Sequence, residues 1–399
     1  MSADDDRRLA RVALTWLAEP GTRVVHQLVD RLGPVATLDL LLDGGSPDSR
    51  VRTAVAARSV AGDARTVAAE ALDRADRLGA RLVTPDDEEW PARVACLSTL
   101  RLPDVSRRVD GETAPPLCFW VRGAWPLGEA LDRSVAVVGA RAATGYGLHV
   151  ATELGYGLAE RDWTVVSGGA FGIDAAAHRG ALNSGGLTVA VLACGVDRPY
   201  PMGNTALFDR IADTGLLVSE WPPGAEPLRP RFLIRNRVIA GATLGTVVVE
   251  ASARSGATQT ARRAIYTNRV AMVVPGPVTS AMSVGAHELL REYPDKARLV
   301  TGVAHVLEEV GRIGADLAPV ARGPQRPTDA LDDEARSLLE ALPRRGALGV
   351  DRLAARAGVD VRIALRKLSL LEELSMVVRR DDGYALAPQP CVKKGEGRT

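Results

Sequence analysis

SVAVVG, residues 134–139, is a continuous apolar run closed by a glycine. It shows no alternation of apolar and polar residues, so a strand there is buried on both faces, as strands of a parallel sheet are. Five further runs share its character: WTVVS at 163–167, LTVAVLA at 187–193, LLVS at 216–219, TVVVE at 246–250 and VAMVV at 270–274. A stretch with helical spacing follows each of them. Short buried strands alternating with helices predict an α/β fold with a doubly wound parallel sheet of the Rossmann-like kind. Two more apolar runs, at 82–85 and 117–121, are expected to add strands to that sheet.

The flanks have a different rhythm. Apolar residues recur at helical spacing in Leu9, Val12, Ala13, Trp16 and Leu17, and again in Val24, Val25, Leu28, Val29 and Leu32. Glu19-Pro20-Gly21 breaks the first pair of helices and Gly33-Pro34 ends the second. Residues 1–76 are therefore expected to form a small helical domain. It carries no basic cluster, so packing on a neighbour is preferred to a grip on DNA. Residues 77–313 form the central α/β domain. A Pro- and Ala-rich stretch without period, 314–328, reads as a linker. Residues 329–387 read as three helices (334–342, 350–357, 361–374) and a hairpin turning at 381–383, which is the winged-helix pattern. The tail, 388–399, is expected to be disordered.

Composition sets the outer limits. Of 399 residues, 46% are apolar and 25% charged, which excludes plain disorder. No apolar run approaches the roughly 18 residues a spanning helix needs, and residues 1–11 are acidic and polar with no signal core, so a cytoplasmic protein without membrane contact is expected. The four cysteines, Cys96, Cys118, Cys194 and Cys391, form no CxxC pair, and neither a disulfide framework nor a zinc site is expected. All but four of the 50 basic residues are arginine; the lysines are at 296, 367, 393 and 394.

Ligands of an open parallel sheet bind at the carboxyl ends of its strands. Here those ends are small and polar: Gly139-Ala140-Arg141, Ser167-Gly168-Gly169-Ala170-Phe171-Gly172-Ile173-Asp174, Gly195 to Asn204, Ser219-Glu220-Trp221-Pro222-Pro223-Gly224, Ser255-Gly256-Ala257-Thr258-Gln259-Thr260 and Pro275-Gly276-Pro277. Glycines at such positions let an anion approach backbone N–H groups at helix N-termini. A dinucleotide fits poorly, because Ser167 stands where the first glycine of G-x-G-x-x-G belongs and no acidic ribose ligand follows. No P-loop, HExxH or GxSxG occurs. Asp174, Glu220 and Glu250 lack a histidine or lysine partner in a matching loop and read as loop-bracing carboxylates. No cofactor is expected.

The net charge is only +1, yet charge location, not its sum, governs binding of a polyanion. Between residues 227 and 270 lie Arg229, Arg231, Arg235, Arg237, Arg254, Arg262, Arg263 and Arg269, opposed by Glu250 alone. Guanidinium groups fork onto phosphate oxygens. With aromatics at 4%, contacts are expected mainly to phosphate, without a stacking platform.

These motifs in this order resemble the DNA-processing protein A (DprA, or Smf) family. The match lies in Val138-Gly139-Ala140-Arg141, the Ser167–Asp174 loop with Ala177-His178, the element from Gly195 to Asn204, Ser219–Gly224, Phe232-Leu233-Ile234-Arg235-Asn236-Arg237-Val238-Ile239-Ala240-Gly241, Ser255–Ala261 and Pro275-Gly276. The resemblance covers the central domain, and the helical first domain (of the SAM or helix-hairpin-helix kind) and the winged-helix last domain match longer members. It implies a non-enzymatic protein that binds single-stranded DNA, protects it, self-associates as a dimer and loads RecA recombinase during natural transformation and recombination. Arg141, Ser167, Gly168, Gly169, Gly172, Asn204, Arg235, Asn236, Arg237, Gly256, Thr258 and Thr260 are the DNA-binding residues it implies. It points to the helix at residues 285–291 and the strand after it for dimer or RecA contact. Ala140 stands where the family usually has serine, Met202 where some members have lysine, and Ile234 where proline or alanine is common. A nucleotide-processing enzyme of the phosphoribohydrolase type is the alternative, but its PGGxGTxxE motif is broken at Pro277 and beyond. In the third domain, Arg362, Arg366, Lys367, Arg379 and Arg380 are placed to meet duplex DNA or a protein.

Overall fold

The computed structural model describes residues 2–101, 113–312 and 331–388. The expected linker and residues 389–399 of the expected tail lie outside the described residues. The chain divides into two compact units, Met1–Ala318 and Pro319–Thr399.

In the first unit, five helices open the chain: α1 (Ala3–Leu17), α2 (Arg23–Leu32), α3 (Pro34–Leu42), α4 (Ser49–Ala61) and α5 (Ala64–Arg77). Their starts are written in side chains. Ser2 and Asp5 form a reciprocal capping box on α1, while Asp48 and Asp63 accept backbone N–H bonds at α4 and α5.

Two short strands, β1 (Ala80–Val83) and β2 (Phe119–Arg122), precede α6 (Leu127–Asp132). Then strands and helices alternate: β3 (Ser134–Val138), α7 (Gly145–Ala159), β4 (Thr164–Ser167), α8 (Ile173–Asn183), β5 (Thr188–Leu192), α9 (Thr205–Thr214), β6 (Leu216–Ser219), α10 (Arg229–Ala242), β7 (Gly245–Val248), α11 (Gly256–Tyr266), β8 (Val270–Val273), α12 (Val284–Glu292), β9 (Ala297–Leu299) and α13 (Val303–Val310). All six runs expected as strands are strands, with ends displaced by a residue or two.

The nine strands form one sheet in the order β1-β2-β6-β5-β4-β3-β7-β8-β9. From β3 to β9 every pairing is parallel, and β1 and β2 add an antiparallel edge beside β6. The chain steps from β3 out to β6, returns to β7 on the other side of β3, and steps out again. The direction of winding therefore reverses between β3 and β7, where an open sheet leaves a crevice at its carboxyl edge. Successive residues of β3 face opposite cores. Val135 and Val137 join Leu154 of α7, Ala177 of α8 and Val306 of α13, while Ala136 and Val138 join Ile239 of α10, Ala261 of α11 and Leu289 of α12.

The N-terminal helices share a core with the sheet. Leu14, Leu17, Ala68 and Ala71 pack in one cluster with Trp120 of β2, Leu192 of β5 and Leu217 of β6. A polar clamp joins the same parts. Glu19, in the turn after α1, accepts hydrogen bonds from Arg58 (3.0 Å), the Trp221 indole (2.9 Å) and Arg231 (2.9 and 3.2 Å). These donors hold the carboxyl below its ordinary range against the opposing effect of burial.

In the second unit, α14 (Asp333–Ala341), α15 (Val350–Ala357) and α16 (Val361–Glu373) pack around Leu338, Leu353, Leu368 and Leu371. The antiparallel hairpin β10 (Val377–Arg380) and β11 (Gly383–Leu386) follows, and Leu348 bridges to Tyr384.

Candidate nucleic-acid interface

A cleft of about 830 Å³ opens at the carboxyl ends of β3 to β7. Its lining includes Gly139 and Arg141 after β3, Ala170 and Asp174 after β4, Tyr200 after β5, and Arg254, Ser255, Gly256 and Thr260 after β7. One wall is α10, which presents Arg229, Phe232, Arg235 and Asn236. Arg141, Arg229 and Arg254 are exposed. The Arg141 guanidinium lies 5.4 Å from the centre of the Phe232 ring, a cation–π placement that orients the side chain over the opening.

Arg235 forms the floor. It is 5% exposed. Its Nη1 donates to the carbonyl oxygen of Gly168 (3.0 Å) and to that of Val191, and its Nε donates to Asn236 Oδ1 (3.1 Å). Gly168 permits this, since a Cβ there would fall 2.4 Å from Arg235 Nη2. Burial pulls the Arg235 pKa down to about 10, opposed by Asp174, so the group remains cationic at neutral pH. Asp174 accepts the backbone N–H groups of Gly168 (3.2 Å) and Ala170 (3.4 Å), and burial pushes its carboxyl up, with Arg235 opposing.

The structure distributes the twelve residues singled out in the sequence as follows. Arg141, Arg235, Asn236, Gly256 and Thr260 line the cleft. Ser167 is wholly buried and donates to the Val137 carbonyl (2.6 Å). Gly168, Gly169 and Gly172 shape the loop beneath it, where Asn204 donates to the Gly169 carbonyl (3.0 Å). Thr258 donates to the Ser255 carbonyl (2.7 Å) and is buried. Arg237 is 0% exposed and is forked onto Glu220 with contacts of 2.7 and 3.0 Å. Arg229, Arg254 and Tyr200 were not among the twelve; the first two belong to the arginine-rich segment and were legible there.

The arginine-rich segment does not form a single edge. Of its eight arginines, only Arg229, Arg235 and Arg254 line the cleft. Arg231 is held by Glu19, Arg237 by Glu220 and Arg262 by Glu292. Helical periodicity turns neighbours in α10 and α11 to different sides. Against the expectation that aromatics would be absent from the site, Tyr200 and Phe232 meet edge to face at 5.8 Å on the cleft wall, and Tyr200 is 44% exposed. Aromatic content of a whole chain says nothing about where the few rings gather. Glu250 has the loop-bracing role expected of it, accepting from the Thr144 N–H (2.9 Å) and hydroxyl (2.6 Å) at the start of α7. Among the described residues no group of His, Cys, Asp and Glu is arranged to hold a metal ion, and no helix is long and apolar enough to cross a membrane.

His178 sits behind the floor. Thr188 donates its hydroxyl hydrogen to the Val165 carbonyl (2.7 Å), so it accepts from His178 Nδ1 (2.7 Å), and Nε2 is the bare nitrogen. Nε2 is buried without a partner. Burial, with Arg235 and Arg179 adding, pulls this pKa from 6.5 down to about 3. The unfolded chain takes up a proton across that interval and the folded chain does not, so stability falls as pH falls, by up to about 1.4 kcal/mol per unit. Urea denaturation at about pH 7 and about pH 5 is expected to show this loss, and His178→Asn, which keeps a donor at the Nδ1 position, is expected to flatten it. Equal slopes in both proteins would remove the histidine as its source.

Glycine loops and arginines gathered at the switch point of a parallel sheet define an α/β protein with an arginine-lined cleft at its carboxyl edge. The sequence model of the family described as DNA recombination-mediator protein A matches residues 81–311, and the chain belongs to that family. It is 45% identical over 373 residues to a putative DNA processing protein DprA of Mycobacterium tuberculosis H37Rv, covering 94% of this chain and 92% of the relative. Protein Smf of Escherichia coli K12 is 35% identical over 260 residues, covering 64% and 68% of the two chains. The X-ray structure of DNA processing protein A from Streptococcus pneumoniae matches with a TM-score of 0.60 at 28% identity, covering 75% of this chain and 96% of that one. The role that follows is DNA processing in recombination.

Proposed function

We propose that the protein binds single-stranded DNA in the β3–β7 cleft without chemical turnover and, as a homodimer, passes the strand to RecA recombinase in the cytoplasm. The observation that carries this reading is the convergence of Arg141, Arg229, Arg235 and Arg254 on one opening beside two aromatic rings. Guanidinium groups supply phosphate contacts, and Tyr200 and Phe232 supply faces on which bases stack regardless of sequence. Asp174, the carboxylate on the cleft floor, is engaged by backbone N–H groups, which suits binding better than acid–base work. RecA loading, self-association and a part in natural transformation come from the family resemblance. In the second unit we read the three helices and hairpin as a winged helix, with exposed Arg362, Arg366, Arg379 and Arg380 as its contact residues.

The test is the affinity for oligo-dT as a function of salt. A steep negative log–log slope is expected, and Arg141→Ala and Arg254→Ala, both exposed and neither needed by the core, should each reduce it by roughly 0.7. A flat slope, or slopes indifferent to both substitutions, would overturn the reading. RecA filament growth on strands precoated with a single-strand-binding protein is expected to accelerate when this protein is added.

A further inference from the structure

A second groove, of about 650 Å³, lies between the N-terminal helices and the segment that follows β6. One side presents Trp16 of α1, Arg58 of α4, and Arg74 and Arg77 from the last turn of α5; the other presents Leu228 and Arg231. The segment 226–231 is shared with the main cleft. Pro227 and Arg229 line the cleft, whereas Glu226, Leu228 and Arg231 line the groove. Leu228 has extended backbone, and alternate residues of extended chain point to opposite sides. One narrow strip of chain thus separates the two concavities.

We propose that a bound single strand leaves the main cleft across this strip and continues into the groove, with Arg74 and Arg77 as its phosphate contacts. This rests on the single-strand reading of the main cleft. Arg58 and Arg231 lend field to the groove, but both are tied to Glu19. Arg74 and Arg77 are exposed. Arg74 meets a carboxylate, Asp197, only at 4.0 Å, and Arg77 has no ion-pair partner among the described residues. Two carboxylates oppose them in the lining, Glu70 and Glu226, and Glu226 is 3.4 Å from Arg198. Trp16 is half-buried and Leu228 is exposed, so apolar faces lie between the cations. Cations with interleaved apolar faces suit a flexible single strand, whose bases stack as its backbone is neutralised. A stiff duplex does not bend over a strip one chain thick.

The experiment compares full-length protein with the double variant Arg74→Ala/Arg77→Ala on oligo-dT of about six and about thirty nucleotides, over a range of salt. For the long strand, the variant is expected to bind more weakly and its log–log slope to shrink by about 1.4, two phosphates at roughly 0.7 each. The short strand, which the main cleft holds alone, is expected to bind both proteins equally. Arg74→Lys/Arg77→Lys should retain the slope on the long strand. An unchanged long-strand slope overturns the proposal. Equal losses on both lengths overturn it too, since they show a diffuse field and not a path. Failure of the short strand to bind the unaltered protein is a different result and overturns the single-strand reading itself. The substituted side chains are exposed, and a melting temperature equal to that of the unaltered protein verifies that the fold is intact.

Discussion

Glu220→Gln is expected to cost about 3–5 kcal/mol of stability, because it strands a guanidinium that water cannot reach. Arg237 is 0% exposed and Glu220 is 2% exposed. The pair is forked, with Arg237 Nη2 donating to Oε1 at 2.7 Å and Nη1 donating to Oε2 at 3.0 Å. Arg237 Nε has no acceptor, so the carboxylate carries most of the compensation for the buried charge. Burial itself pushes the Glu220 carboxyl up, opposed by Arg237. Two effects compete: desolvation makes the ions costly, and their mutual attraction offsets that cost only while both are present. Removing one partner leaves the cost without the offset.

The same reasoning predicts a partial rescue. Glu220→Leu combined with Arg237→Met replaces both ions with apolar groups of comparable bulk, and such replacements are often neutral. Urea denaturation of the two single variants and the double one forms a double-mutant cycle. Strongly non-additive losses are expected, with the double variant more stable than either single one. Additive losses, or a cost below about 1 kcal/mol for Glu220→Gln, would mean that the pair does not share one desolvated site. Because Glu220 follows β6 and Arg237 lies in α10, the pair fastens the back of the helix whose other side carries Phe232 and Arg235. The substitution is therefore also expected to weaken DNA binding without changing the salt slope, since neither group is exposed or lines the cleft.

The parallel strands were legible because burial on both faces leaves a local signature. A run such as residues 135–138 is apolar at every position whatever it pairs with. Helix starts carry an equally local signal that the sequence reading passed over, since Asp48 and Asp63 act on N–H groups two or three residues away. What stayed hidden depends on distant parts of the chain. Nothing near Leu14 or Leu17 announces that they share a core with Trp120 and Leu217. Nothing near Glu19 announces donors more than 200 residues later. The arginines of α10 illustrate the limit best. Arg231, Arg235 and Arg237 look equivalent in a charge count, yet one is clamped by Glu19, one forms the cleft floor and one is sealed against Glu220. Their fates are set by helix phase and by which carboxylate the fold delivers, and a count of charges contains neither.

Gly172→Ala is expected to damage stability and DNA affinity together. Gly172 caps the start of α8 at φ +79°, ψ −126°, a positive-φ conformation outside the left-handed helical region that an L side chain adopts only at a cost of roughly 1–3 kcal/mol. A Cβ would also fall 2.3 Å from the Ala140 carbonyl oxygen and 2.5 Å from that of Arg141. Both obstacles are backbone, so the loop after β3 must move. That loop is held by Ala140 N–H donating to the Glu250 carbonyl (2.7 Å) and by Ile173 N–H donating to the Ala140 carbonyl (3.2 Å). Strain and overpacking together set an expected loss of about 2–5 kcal/mol. Moving the loop also lifts Arg141 off the Phe232 ring, and a loss of about 1.4 kcal/mol in strand binding is tenfold in affinity. Gly185→Ala separates the two causes. Its φ is also positive, at +76°, but a Cβ there meets nothing within 4 Å, so it tests a positive φ without the collision. It is expected to cost only about 1–2 kcal/mol and to leave affinity unchanged. If Gly172→Ala matched Gly185→Ala in both measurements, the close approach of the two strand-end loops would have no part in forming the cleft. If only Gly172→Ala lost affinity, the packing of α8 against the β3 loop would be what aims Arg141 at the strand.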